Sequence, residues 1–237
     1  SCKMTTAFYN TSVGRSSHQD LTSGNDNTAV GFGAGGAVTS GSNNLFLGHD
    51  AGKSGSPGGA QTTGSNEIFL GDENITAANI QVDWTVASDQ RDKTDFSSLD
   101  IGLDFVNQLK PYTFKWDKRI KYVNREGKEG LVKVSPDDGP SIEDKWEDTV
   151  DLDTITSDGT HKEDWLDIGF KAQDVEVLEK AAGYKIADKT NLTTTLTNDG
   201  KQYGIKYNRF VPILVKAIQE LSAKNDALEA RIKTLEG

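Results

Sequence analysis

Apolar residues recur along this chain in three rhythms, and each predicts a different kind of element. The first is a repeat. Asn10–Gly14 reads N-T-S-V-G, Asn27–Gly31 reads N-T-A-V-G and Asn44–Gly48 reads N-L-F-L-G, with E-I-F-L-G at Glu67–Gly71 as a fourth copy. The closing glycines Gly14, Gly31 and Gly48 stand 17 residues apart, while the last step, to Gly71, is 23. The longer step points to an insertion in the turn Ser54–Gly59. Another glycine, Gly24, Gly41 or Gly64, stands three residues before each of the last three copies. Each copy predicts a short strand, its Val or Leu facing a shared core and its glycines turning the chain at positive φ. One copy cannot bury its own apolar face, so copies must stack.

The second rhythm alternates three and four. Val211, Ile218 and Ile232 take the a positions of a heptad, with Asn225 between them, and Leu214, Leu221, Leu228 and Leu235 take d. Four unbroken heptads predict a coiled-coil helix over residues 211–237, with Pro212 tolerated in its first turn. β-Branched residues at a, Leu at d and one buried Asn favour two strands on their own.

The third rhythm, between repeat and coil, is mixed. Asn79–Val86 alternates as a strand, with Ile80, Val82 and Trp84 on one side. Leu99, Ile101, Leu103, Phe105, Val106 and Leu109 read as a helix that Lys110-Pro111 ends. Tyr112–Trp116 alternates again, Asp167–Val175 runs from strand into helix, and Gln202–Tyr207 leads into the last helix.

Composition supports an elongated or oligomeric chain. The apolar fraction is 35%, against about 45–50% in an ordinary globular domain. Fourteen of the 24 glycines precede Thr76. The net charge of −10 is spread over both halves, which argues against nucleic acid and anionic membrane as partners. It peaks between Ser135 and Asp167, where twelve acids face two bases, and no carboxylate spacing there matches a calcium loop. Cys2 is the sole cysteine, and His18, His49 and His161 are scattered, so neither a disulfide, a metal site nor a cofactor is expected. No apolar run is long enough to span a membrane. Starting with Ser, the chain reads as the C-terminal piece of something longer.

The repeat resembles the β-roll heads of trimeric adhesins and the β-stalks of phage tail fibres, which implies a fibre three chains wide. Four stretches further on carry a second resemblance: S-D-Q-R-D-K at Ser88, L-K-P-Y-T-F-K-W at Leu109, I-G-F-K-A-Q-D-V at Ile168 and Y-N-R-F-V-P-I-L-V-K-A-I-Q-E-L at Tyr207. In that order they resemble the endosialidase-type intramolecular chaperones, self-releasing C-terminal domains of phage tailspikes and tail fibres. Thr94-Asp95-Phe96 departs from the amide-and-aliphatic pair often found after the lysine, and the acidic stretch is longer than a minimal member needs, as an inserted hairpin would make it.

The resemblance implies a mixed fold: a Gly-rich trimeric β-repeat stalk over 1–87, then an α+β chaperone domain over 88–237. Within the latter, 88–210 is globular and 211–237 a parallel coiled coil. It implies a homotrimer despite the coil's own preference, joined to the upstream fibre of the same chain and, through the fibre, to a host surface receptor. It places the protein in a virion tail fibre or tailspike assembled in the host cytoplasm. It also implies cleavage between Ala87 and Ser88, with Ser88 as nucleophile and Lys93 as general base. Asp89 would orient the scissile bond or hold the turn, and Arg91 is the nearest cation in sequence able to lower the lysine's affinity for its proton. Two other readings keep the fold: a permanent, uncleaved trimerisation module, and a receptor-binding tip.

Overall fold

A three-residue strand is stable only beside partners, and here repetition supplies them. The computed structural model describes residues 5–123, 132–135, 139–142 and 151–237, the two short stretches by backbone pairing alone. Contacts divide the chain into two compact units: 1–76 with 115–165 and 197–202, and 77–114 with 166–196 and 203–237.

In the first unit the repeats form β1 (Thr11–Val13), β2 (Thr28–Val30), β3 (Leu45–Leu47) and β4 (Ile68–Leu70), paired parallel in the order β1-β2-β3-β4. Register places Ser12, Ala29, Phe46 and Phe69 one above another. Ala29 and Phe46 are fully buried and Phe69 nearly so, in a core shared with Leu21, Ala34, Val38 and Ala51. The expected inward direction of the Val or Leu before each closing glycine is corrected. Val13, Val30, Leu47 and Leu70 are 38–56% exposed. Successive strand side chains alternate, so burying the middle residue turns both neighbours outward.

An asparagine ladder locks the rungs. Asn10 Oδ1 accepts from the backbone N–H and the amide of Asn27 at 2.9 and 3.0 Å, and Asn27 Oδ1 does the same for Asn44 at 3.0 and 3.1 Å. The amides of Asn10, Asn27 and Asn44 donate in turn to the carbonyls of Gly24, Gly41 and Gly64. Those glycines pass so close that a Cβ on Gly24 or Gly41 would strike the carbonyl oxygen of the next rung. The six-residue insertion is packed rather than looped out: Ser56 is 1% exposed, and its hydroxyl donates to Lys53 O and accepts from Gly52 N.

His18 is buried in this stack, edge-on to Phe46 and 2.8 Å from Ser12 Oγ. Burial lowers its pKa from 6.5 to about 4. The neutral ring is therefore the folded form, and between those values the unfolded chain binds the extra proton. The stack is expected to keep its full stability above pH 6.5, to lose on the order of 2–3 kcal/mol as pH falls to about 4, and to lose no more from this group below that. Thermal melts across this range test it: His18→Gln should flatten the slope whatever it does to the baseline.

Other segments of the unit pack beside the end of the stack. A 3₁₀ turn at Arg119–Tyr122 buries Ile120 against Gly55, and Lys118 Nζ donates to Glu73 O at 2.9 Å. β6 (Val132–Ser135) and β7 (Gly139–Ile142) pair antiparallel at the start of the acidic stretch, most of whose remainder up to residue 150 lies outside the described residues. Cys2 lies outside the described residues.

The second unit packs α1 (Leu103–Val106), α2 (Ala172–Ala181) and α3 (Phe210–Glu236) around Ile101, Phe105, Val175, Phe210 and Ile213. β5 (Tyr112–Phe114) pairs antiparallel with β8 (Asp167–Gly169), and β9 (Thr194–Leu196) with β10 (Tyr203–Ile205). The helix read over Leu99–Leu109 shrinks to α1 because Gly102, at φ −153° and ψ −123°, breaks it on the N-terminal side. Glu220 on α3 accepts the half-buried Leu103 N–H at 2.8 Å, supplying the cap that Gly102 cannot.

Glu179 is fully buried and is the polar anchor of this unit. Its carboxylate accepts from the backbone N–H and hydroxyl of both Thr193 and Thr194, at 2.5–3.4 Å. Glu179→Ala would strand four buried donors, so denaturant unfolding should show a loss of about 2–4 kcal/mol.

The strand expected over Asn79–Val86 does not form. Every residue from Ala77 to Ser98 is exposed, and Ile80, Val82, Trp84 and Val86 are 51–76% exposed. An isolated strand leaves its backbone groups without partners, so alternation alone cannot hold it.

Candidate functional site

The segment after Ala87 is built around one turn. Asp89, at φ −64° and ψ 132°, caps a 3₁₀ turn at Gln90–Asp92, and its carboxylate accepts from Arg91 N at 2.9 Å. Asp92 N donates to Asp89 O and Lys93 N to Gln90 O, both at 3.2 Å, which closes the turn. Asp is a preferred residue for this capping role because its short carboxylate reaches the N–H two residues on.

The turn brings together residues five apart. Lys93 leaves it extended, and its side chain folds back so that Nζ lies 2.5 Å from Ser88 Oγ and 3.2 Å from Ser88 O. The two residues that sequence pairs as nucleophile and base thus share a hydrogen bond. In it the ammonium donates, whereas proton abstraction needs the neutral amine to accept. A free lysine holds its proton to about pH 10.4, and desolvation or a nearby cation must change that. Ser88 through Phe96 are all exposed in the single chain.

Arg91 is engaged elsewhere. Its guanidinium binds Asp89, with Nη2 2.6 Å from Oδ2 and Nε 3.1 and 3.2 Å from the two oxygens. Arg91, first through its side chain and then through its N–H, holds the Asp89 carboxyl below its ordinary value of 3.8, and Asp89 raises the affinity of Arg91 for its proton. The pair therefore stiffens the turn. Among the described residues, none donates to the Ala87 carbonyl oxygen, where negative charge would develop during attack.

The heptad residues stand on α3 as one outward stripe. Val211, Leu214, Ile218, Leu221, Leu228, Ile232 and Leu235 are 43–83% exposed, and Asn225 is exposed with them. Phe210, Ile213 and Ala217, on a different face, are the α3 residues that are buried in the unit. The helix begins one residue before Val211, and everything from Leu221 onward is exposed.

Two features of the site region escape sequence reasoning. Glu220 reaches Leu103 across 117 positions, a contact that no local spacing announces. The turn Thr197–Gln202 lies against the last rung of the repeat, and its Asn-Asp-Gly signals a turn but not a destination.

Comparison with known families places residues 88–134 in a match to the family described as "Chaperone of endosialidase". The matched stretch opens on Ser88 and contains Lys93, α1 and β5. No curated protein and no solved structure matches the chain. The mixed α+β architecture agrees with a chaperone domain of that kind, and so with a tail-fibre or tailspike component.

Proposed function

We propose that residues 88–237 form a trimerising intramolecular chaperone that aligns the β-repeat stalk and then cuts the chain between Ala87 and Ser88. The observation that carries the reading is the Lys93 Nζ–Ser88 Oγ contact at 2.5 Å, on the first residue of the family match.

Ser88 Oγ attacks the Ala87 carbonyl carbon while its proton passes to Lys93 Nζ. The C–N bond then breaks, the nitrogen takes up a proton as the new amino terminus of Ser88, and water hydrolyses the resulting ester. Direct attack of water, activated by the same pair, gives the same products. Either route needs a neutral lysine and a donor at the Ala87 oxygen, and neighbouring chains supply both by covering the exposed segment.

Three apolar surfaces support assembly with like chains. The α3 stripe fits a coiled coil, the outward row Val13, Val30, Leu47 and Leu70 runs along the stack, and Ile80, Val82, Trp84 and Val86 line the segment before the cut. Rungs that look alike slip easily in register, so a domain that trimerises first gives the stalk its starting point. The cut then breaks the covalent tie between stalk and template, so unfolded stalk chains lose their way back and the assembled fibre is kinetically stable. The stalk lies upstream in a virion tail fibre or tailspike, and a host receptor is met through it.

A denaturing gel of the purified full-length protein tests this. Fragments 1–87 and 88–237 are expected, from a native species of three chains; a single full-length band from that species favours the permanent trimerisation module.

A further inference from the structure

Among the described residues the repeat stack has four rungs, and its last strand would present an open edge. Such edges are liabilities, and stacked repeats need a distinct cap. At the fourth rung the ladder residue is no longer asparagine but Glu67. Its N–H still donates to Asn44 Oδ1 at 3.1 Å, while its carboxylate accepts from the Asn198 amide at 3.1 and 3.2 Å. An asparagine amide donating to the ladder residue below it is the contact that Asn27 makes to Asn10 and Asn44 to Asn27. The glycine column gives the same answer independently. Gly24 approaches Gly41 and Gly41 approaches Gly64, while the neighbours of a Cβ on Gly64 would be the side-chain amides of Asn198 and Gln61.

We propose that the turn Thr197–Gln202 is a false fifth rung, a docking element shaped to seal the terminal rung of this chain's own repeat stack. Besides Asn198, Asp199 Oδ2 accepts from Ala60 N at 3.0 Å, an amide on a residue 1% exposed. Gln202 Nε2 donates to Ser56 O at 3.4 Å.

The turn arrives already shaped. Thr197 N donates to Gln202 O at 2.9 Å, Asp199 Oδ1 accepts from Lys201 N at 3.1 Å, and Gly200 takes φ +73°. Arg119 holds it from outside, donating to Lys201 O at 2.6 Å. The polar match is direct: Asn198 supplies a donor where the Glu67 carboxylate supplies only acceptors.

Residues 197–202 lie beyond the Ala87–Ser88 bond in the chain, so this seal joins the two sides of that bond without a covalent link. It holds whether or not the bond is cut, and it keeps 1–87 and 88–237 together after any break in the exposed segment.

The test uses the full chain with Ser88→Ala, so self-cleavage plays no part, and a site-specific protease sequence inserted after Ala78. After nicking, the fragments are expected to co-elute on native gel filtration. Asn198→Ala with Asp199→Ala should shift their separation to at least about tenfold higher chain concentration, the change expected from losing a few hydrogen bonds. Hydrogen exchange provides the folding control: the Ala60 amide should lose protection in the double variant while the Asn27 and Asn44 amides keep theirs. Fragments that separate at once in the parent, or a double variant with unchanged co-elution and an unchanged Ala60 amide, would overturn the proposal.

Discussion

Ser88→Ala is expected to leave a full-length chain that assembles normally and never divides. Alanine removes the attacking oxygen and, being no larger, leaves the turn intact, because the cap at Asp89 and the Asp92 and Lys93 backbone hydrogen bonds do not involve the Ser88 side chain. Lys93→Met should slow the cut about 10²- to 10⁴-fold, the usual contribution of a general base. Lys93→Arg separates chemistry from scaffolding. Arginine can still donate to Ser88 but cannot give up its proton near neutral pH, so it should fail to rescue. Time courses on denaturing gels read all three variants. A Lys93→Arg chain that cuts like the parent would show that Lys93 serves only as a donor that holds the turn.

Ile218→Asp with Leu221→Asp should convert the assembly to single chains and stop the cut along with it. Both residues are exposed in the single chain, at 65% and 47%, and neither belongs to the core of its own unit. The fold of one chain is therefore expected to survive, with unchanged far-ultraviolet circular dichroism apart from the final turns of α3. Burying each apolar side chain in a helix interface contributes about 1.5–3 kcal/mol, and a carboxylate there adds a desolvation cost. Light scattering gives the mass, and a gel on the same sample gives the cut. Single chains that still divide would uncouple the chemistry from assembly.

Periodicity makes the repeat and the last helix legible, because each rests on a rule that local sequence obeys: recurrence at 17 in the first, heptads in the second. What fails is direction. Val30 and Leu47 read as inward because each is among the most apolar residues of its copy, yet the stack buries Ala29 and Phe46 instead. The turn geometry around glycines sets which parity faces in, and hydrophobicity alone does not carry it. The strand read over Asn79–Val86 shows a second limit, since alternation describes a face and says nothing of what pairs with it.

At the candidate site the order of legibility is reversed. The family resemblance points to Ser88 and Lys93, and the 3₁₀ turn explains why a spacing of five brings them together: Asp89 caps it and Arg91 braces Asp89. Long-range partners are not legible. Glu220 at Leu103, Glu179 at Thr193 and Thr194, and Asn198 at Glu67 all join residues whose spacing follows no helical or strand period. Their polar types hint at turns and solvent-facing helix positions, and only the packed chain shows which groups they meet.

Coupling of the cut to assembly is tested most directly by refolding. Full-length chain unfolded in denaturant is diluted over a range of chain concentrations, and intact mass under denaturing conditions is followed beside native mass. Fragments 1–87 and 88–237 are expected to appear only after the three-chain species does, faster at higher concentration, with Ser88 as the new first residue. A three-chain species that retains the full 25.7 kDa chain, or fragments that form before any assembly, would contradict it.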